Sequence, residues 1–260
     1  MKTNWIVLMA ILLPGRLLLA QTNLPPLPPV AEVVQRALAR AATEDENDRT
    51  FNQLYQYERT RLTEYRNSKG QLKLREEKTT ENGPGTSPSA PASAAPVEPP
   101  ARDEPLSESH STIRGKALKV KDYSLAELIS RFQFTAEGQE IVNGRPALVL
   151  DFQPANKHLP VHSYKDNFIN NAAGRVWVDE SDYAIAKADL RLTQQVNVLG
   201  GLVGAVWKFT YFLERERTPE GLWYARQVDW HLEGREVIFN RIVDYHEKKV
   251  NAKKVSTPTR

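Results

Sequence analysis

The sequence predicts an α+β fold in which a curved antiparallel sheet carries helices across its concave side. Three observations point there. From residue 174 to 245, large apolar residues recur at two-residue spacing: Trp207, Phe209 and Tyr211, then Tyr224, Val228 and Trp230, then Val237, Phe239, Val243 and Tyr245. Alternation of this kind marks strands with one dry and one wet face. Turn residues punctuate the chain, at 67–70, at Asn143-Gly144, at 179–182, at 218–221 and at Gly234. Against about ten strand-like segments, two main segments carry helical apolar spacing, which is an α+β pattern. Two helices are few for so large a dry face, so a further apolar body, such as a lipid, is expected to share the concave side.

The N-terminus comes first in the justification. Residues 1–20 read as a secretory leader: Lys2 gives the charge, residues 6–13 the apolar stretch, and Ala20 the residue before cleavage. Arg16 and Leu18 depart from the usual pattern. The alternative is an uncleaved anchor, but a span needs about 20 continuous apolar residues. Pro25, Pro26, Pro28 and Pro29 make residues 21–29 an extended spacer.

A single domain is expected over residues 30–247. Its first helix covers roughly 30–43, where Val30, Val33, Val34, Ala37, Leu38 and Ala41 form one stripe. Strands near 50–65 and up to residue 81 flank the turn at 67–70. Residues 82–111 hold seven of the 17 prolines, too little apolar surface to offset the entropy of ordering, and are expected to be a disordered insert. A second helix is expected over 123–133, with Ser124 and Glu127 as a capping box and Leu125, Leu128, Ile129 and Phe132 as its stripe. Asn143-Gly144 turns a hairpin, residues 154–160 form a loop, and 163–172 a short helix or irregular lid. Strands follow near 174–179, 184–194, 205–216, 222–233 and 236–246. Residues 248–260, with Lys248, Lys249, Lys253, Lys254 and Arg260, are expected to be a basic flexible tail.

The formal charge is +3, and loss of Lys2 and Arg16 with the leader lowers it to +1. That is a weak lure for nucleic acid. Tyr55, Tyr57, Arg59, Arg61 and Tyr65 interleave as in some nucleic-acid sheets, but core-edge packing with arginine stems explains them better. With no cysteine in the chain, disulfides, thiolate metal sites and a lipid-modified cysteine are excluded. Export without disulfides fits a bacterial envelope.

No Walker loop, nucleophile elbow or zincin motif occurs. His158 and His162 are four apart with Pro160 between them, and His246-Glu247 has no second histidine to complete a zinc helix. Asp179, Glu180 and Asp182 read as a polar hairpin turn. The loop 198–204 is rich in glycine yet carries Leu199, Leu202 and Val203. It is either a buried hairpin end or a loop that touches membrane, cargo or lid.

Two stretches resemble a known family: Val142-Asn143-Gly144-Arg145-Pro146-Ala147 through Phe152, and Gly174-Arg175-Val176-Trp177-Val178-Asp179 through Ala184-Ile185-Ala186-Lys187-Ala188. They are similar to outer-membrane lipoprotein-sorting-protein-like chains, the periplasmic lipoprotein carrier of the Lol system and its relatives. The resemblance covers about residues 112–246. It implies a half-open β-barrel with helices across its mouth, a cavity for acyl chains and no reaction or cofactor. The insert and basic tail depart from that carrier.

The expected function is therefore a periplasmic, non-catalytic carrier of lipid acyl chains or lipoproteins with transient membrane contact and no nucleic acid. Its cavity would be lined by Trp207, Phe209, Tyr211, Tyr224, Trp230 and Phe239. The alternative is an envelope sensor or assembly factor that uses the fold to bind a protein partner. A hydrolase is disfavoured because no nucleophile–base pair is visible. N-terminal sequencing of the protein from the soluble periplasm should begin near Gln21; Met1 retained in a membrane fraction would make the chain an anchored protein.

Overall fold

The computed structural model describes residues 27–84, 131–155, 159, 161, 164–198, 204–236 and 239–255. The chain begins with two helices, α1 (Val30–Ala41) and α2 (Glu44–Leu54), then β1 (Tyr55–Arg66) and β2 (Leu72–Asn82). The next described elements are β3 (Phe132–Val142), β4 (Arg145–Pro154) and the short α3 (Tyr164–Ile169). Six strands complete it: β5 (Ala172–Asp179), β6 (Ile185–Leu192), β7 (Val196–Val198), β8 (Gly204–Arg217), β9 (Trp223–Glu236) and β10 (Phe239–Lys254). Nine strands pair in the order β2-β1-β10-β9-β8-β6-β5-β4-β3, with β7 added on β8. Every pairing is antiparallel. Among the described residues β2 and β3 are the two edges and do not pair with each other, so the sheet is a curved, half-open barrel. Lys73, Arg75, Glu76, Glu77 and Lys78 charge the β2 edge, which discourages further strand addition.

Register fixes which side chains share a face, since directly opposed residues point the same way. One row runs Ala136, Leu150, Val176, Ala188, Leu213, Val228, Glu247, Arg61, Lys78 across the sheet. The stripe of α1 docks on this face. Val33, Val34 and Ala37 pack on Leu148, Leu150 and Val178, with Phe134 and Val176 alongside. The i, i+3, i+4 spacing that predicted the helix is thus the spacing that buries it. The opposite face buries a second cluster at β4 and β5, with Ala147, Val149 and Trp177, and carries polar pairs at β8–β10: Lys208 Nζ donates to Glu233 at 2.7 Å, and His246 Nδ1 lies 2.8 Å from Asp229.

Four expectations change. Residues 44–54 are helical where a strand was expected from about 50. Glu44, Asp45 and Glu46 occupy the first turn, where carboxylates suit the helix dipole, and Phe51 and Asn47 are the two residues that α2 buries. Arg131 is helical and buried, but Phe132 begins β3 instead of extending a helical stripe; residues 123–130 of that expected helix, the leader and the bulk of the insert lie outside the described residues. Gly234 is inside β9, not at a turn. A Cβ there would meet Ala205 O at 2.7 Å, so the glycine permits close strand approach. The expected basic tail is strand as far as Lys254, because β10 continues to pair with β1 past a register shift, with Asn251 at φ 58. The Asn143-Gly144 turn holds as expected, both residues at positive φ (49 and 76).

The acidic turn 179–182 is structural. Asp179 accepts two hydrogen bonds from Arg145, at 2.6 and 2.9 Å, and one each from the Ser181 and Asp182 backbone N–H groups. Burial pushes its carboxyl up, and these donors outweigh it, holding it below the usual aspartate value. Asp182 accepts from Arg217 Nε at 3.1 Å and from the indole N–H of Trp223 at 2.9 Å. Trp223, 1% exposed, has the Arg145 and Arg215 guanidinium carbons 5.9 and 5.8 Å from its ring centroid. Its backbone N–H and C=O both pair with the Asn47 side chain, which ties α2 to the start of β9. Trp223→Ala should cost about 3–5 kcal/mol in a denaturant titration, whereas Trp207→Ala, at a site 40% exposed, should stay within about 1 kcal/mol.

Candidate functional site

The inner face divides into two halves. At β3–β5 it is covered by α1. At β8, β9, β10 and β1 its apolar residues stay half-buried. Two further rows run there. One is Phe134, Phe152, Gly174, Leu190, Tyr211, Trp230, Tyr245, Thr63. The other is Phe209, Leu232, Val243, Tyr65, Leu74. Trp230 stacks on Tyr245 with ring centroids 5.2 Å apart. Burial pushes the Tyr211 hydroxyl up, with Arg215 opposing and Glu247 adding to the rise.

Charge enters at one end of this face. Glu247, 7% exposed, accepts hydrogen bonds from Arg59 Nη2 and from the Tyr245 hydroxyl, each at 2.6 Å, and Arg61 Nε lies 3.6 Å away. Lys249 sits opposite Arg59, with its ammonium 5.1 Å from the Tyr57 ring centroid and 5.8 Å from that of Phe51. There the α2 cluster of Phe51, Tyr55, Tyr57 and Tyr224 ends the face. Arg215 pairs with Glu44, so β8 is tied to the start of α2. Burial and then the Glu247 hydrogen bond push Tyr245 up to about 12.

The six residues expected to line a cavity separate into three groups. Phe209, Tyr211 and Trp230 share the half-buried rows. Tyr224 lies beyond the register shift between Glu214 and Arg215 and is buried against Phe51 at 4.7 Å. Trp207 occupies the bulge between Val206 and Lys208, and Phe239 starts β10; they are 40% and 63% exposed. Leu199, Leu202 and Val203 lie outside the described residues, as do His158 and His162. Among the described residues no cluster of three His, Asp or Glu is placed to hold a metal, and no helix is long and apolar enough to cross a membrane. Sequence reasoning met Glu247 only beside His246 in an incomplete zinc motif and Lys249 only in the expected basic tail, and placed neither on this face. The signal was there: a glutamate in step with Val243 and Tyr245 must point to the dry face.

A groove of about 1160 Å³ lies elsewhere, on the outer side of β3–β6 beside α3. Gln133, Gln153, Asn170, Arg191 and the exposed Asp151–Arg175 pair line it. Such a polar lining does not suit an acyl chain, and the inner face is the better candidate.

Burial pushes the Glu247 carboxyl up, but hydrogen bonds from Arg59 and Tyr245 win and hold it below 4.5. A depressed folded value contributes stability that is present above 4.5 and is lost as pH falls through the folded value. Glu247→Gln should therefore flatten the acid limb of the stability–pH curve, measured by urea titration at several pH values. At neutral pH it should cost about 3–5 kcal/mol, because the cations lose their buried partner.

No family model and no curated protein matches the chain. Its structure is similar to a putative outer membrane lipoprotein-sorting protein domain from Vibrio parahaemolyticus, at 11% identity and TM-score 0.34, covering 88% of this chain and 94% of that one. It is also similar to a LolA superfamily protein from Nitrosomonas europaea, at 11% identity and TM-score 0.30, covering 85% and 94%. A third likeness is to the MucA/MucB complex of Pseudomonas aeruginosa, at 11% identity and TM-score 0.28, covering 86% and 99%.

Proposed function

We propose that this protein is an exported, non-catalytic carrier that shelters acyl chains of a lipid or lipoprotein on the open half of its inner face. One observation carries this reading: Phe209, Tyr211, Leu213, Val228, Trp230, Leu232, Val243 and Tyr245 stand in neighbouring rows, and each remains half-buried. A folded domain gains roughly 1.5–3 kcal/mol for each large apolar side chain it fully buries. A contiguous half-covered patch therefore favours an apolar ligand. The leader-like segment and the cysteine-free composition support a periplasmic setting.

A fluorescent fatty-acid probe should bind the mature protein. Trp230→Ala should weaken that binding at least about tenfold, roughly 1.4 kcal/mol, while the protein stays folded by circular dichroism. If the wild type binds no probe and Trp230→Ala instead costs about 3–5 kcal/mol of stability, these rows are plain core and the carrier reading fails.

A further inference from the structure

The inner face is graded. On β10 and β1 its apolar rows give way, two residues further along, to Glu247 and Arg61, and then to Lys249 and Arg59, while β8 and β9 continue the Glu247 row with Leu213 and Val228. That step is about 7 Å along an antiparallel strand. The cationic end carries more positive than negative charge. Arg59, Arg61 and Lys249 surround Glu247, and Asp48 of α2 is the other carboxylate acting on Lys249. Arg215, the remaining neighbour, is already paired with Glu44, which also meets Arg40. Three cations thus face two carboxylates.

Their hydrogen-bonding capacity is not used up. Arg59 Nε is buried with no partner among the described residues. Arg61 reaches Glu247 only at 3.6 Å. Lys249 rests over two aromatic rings. Burial pushes its ammonium below its ordinary value, with Glu247 opposing and Arg59 adding to the fall. The fold alone therefore disfavours the charge it keeps there, and an incoming anion would relieve it.

Resting on the acyl-carrier reading, we propose that Arg59, Arg61 and Lys249 bind the anionic headgroup, a carboxylate or phosphate, of the ligand whose acyl part lies on the Tyr211 and Trp230 rows. Guanidinium groups match the planar spread of anionic oxygens, and charge-assisted bonds in a half-dry site are the strong ones. The neighbouring Tyr245 ring would sit at the junction of head and tail.

The test is calorimetric titration of the mature chain with hexadecanoic acid, its methyl ester and inorganic phosphate. The acid should bind at least about tenfold more tightly than the ester. Phosphate alone should bind far more weakly than the acid, because it forgoes the apolar rows. Arg61→Gln and Lys249→Met should each bring the acid down toward the ester while leaving ester affinity and the melting temperature unchanged. Arg61→Lys should restore the preference in part. Equal affinity for acid and ester in the wild type would overturn the headgroup site and leave the acyl reading standing. Phosphate binding as tight as the acid, with no ester bound, would assign the cations to a free anion and overturn both. No binding of any of the three would also overturn both.

Discussion

The row from Ala136 to Lys78 is the constraint on which the rest depends. One register, carried through nine strands, decides that Leu150, Val176, Leu213 and Val228 share a face with Glu247 and Arg61. A slip of one residue would turn every one of these side chains outward. Two contacts pin the ends. Trp223, with Asn47 and Asp182, holds α2 against the start of β9. Arg145 and Asp179 hold the β3–β4 turn against the β5–β6 turn. With both in place, α1 covers one half of the apolar face, and the large apolar residues of the other half stay half-buried.

The polar cluster on that face fits the same logic. A carboxylate placed among apolar rows costs free energy unless it is paired and hydrogen-bonded. Glu247 has an arginine and a tyrosine hydroxyl on one oxygen. Its cost is offset locally, and in the proposed reading the surplus of cations beside it serves to recognise the headgroup. The face offers an aromatic and aliphatic floor, a tyrosine at the boundary and a cationic end in sequence along the strands. That is the chemical order of an anionic amphiphile.

Much of this was legible in the residues. Two-residue alternation located β8, β9 and the first half of β10, and the helical stripe located α1 within two residues. The elements that escaped did so for physical reasons. The α2 segment is mostly polar, with a single large apolar residue buried, so its periodicity is faint and its helix depends on docking Phe51 and Asn47. Strand β10 continues through lysines because β1 supplies hydrogen bonds, a tertiary fact with no local signal. Bulges account for the cavity residues that separate from the rows. An extra residue near Trp207 and another between the partners of Glu214 and Arg215 break the parity that alternation assumes. Tyr224 and Trp207 therefore leave the rows, while Tyr211 and Trp230, in a stretch without a bulge, stay opposite one another.

The central claim is that the open half of the inner face holds an acyl ligand in the cell. Native mass spectrometry of the mature protein purified from its host, paired with organic extraction and analysis of the extract, tests it most directly. The account predicts a mass above that of the mature chain, with the excess lost on extraction and recovered as acyl-bearing, anionic species. A bare mass equal to that of the mature chain, with no acyl species in the extract, would contradict it.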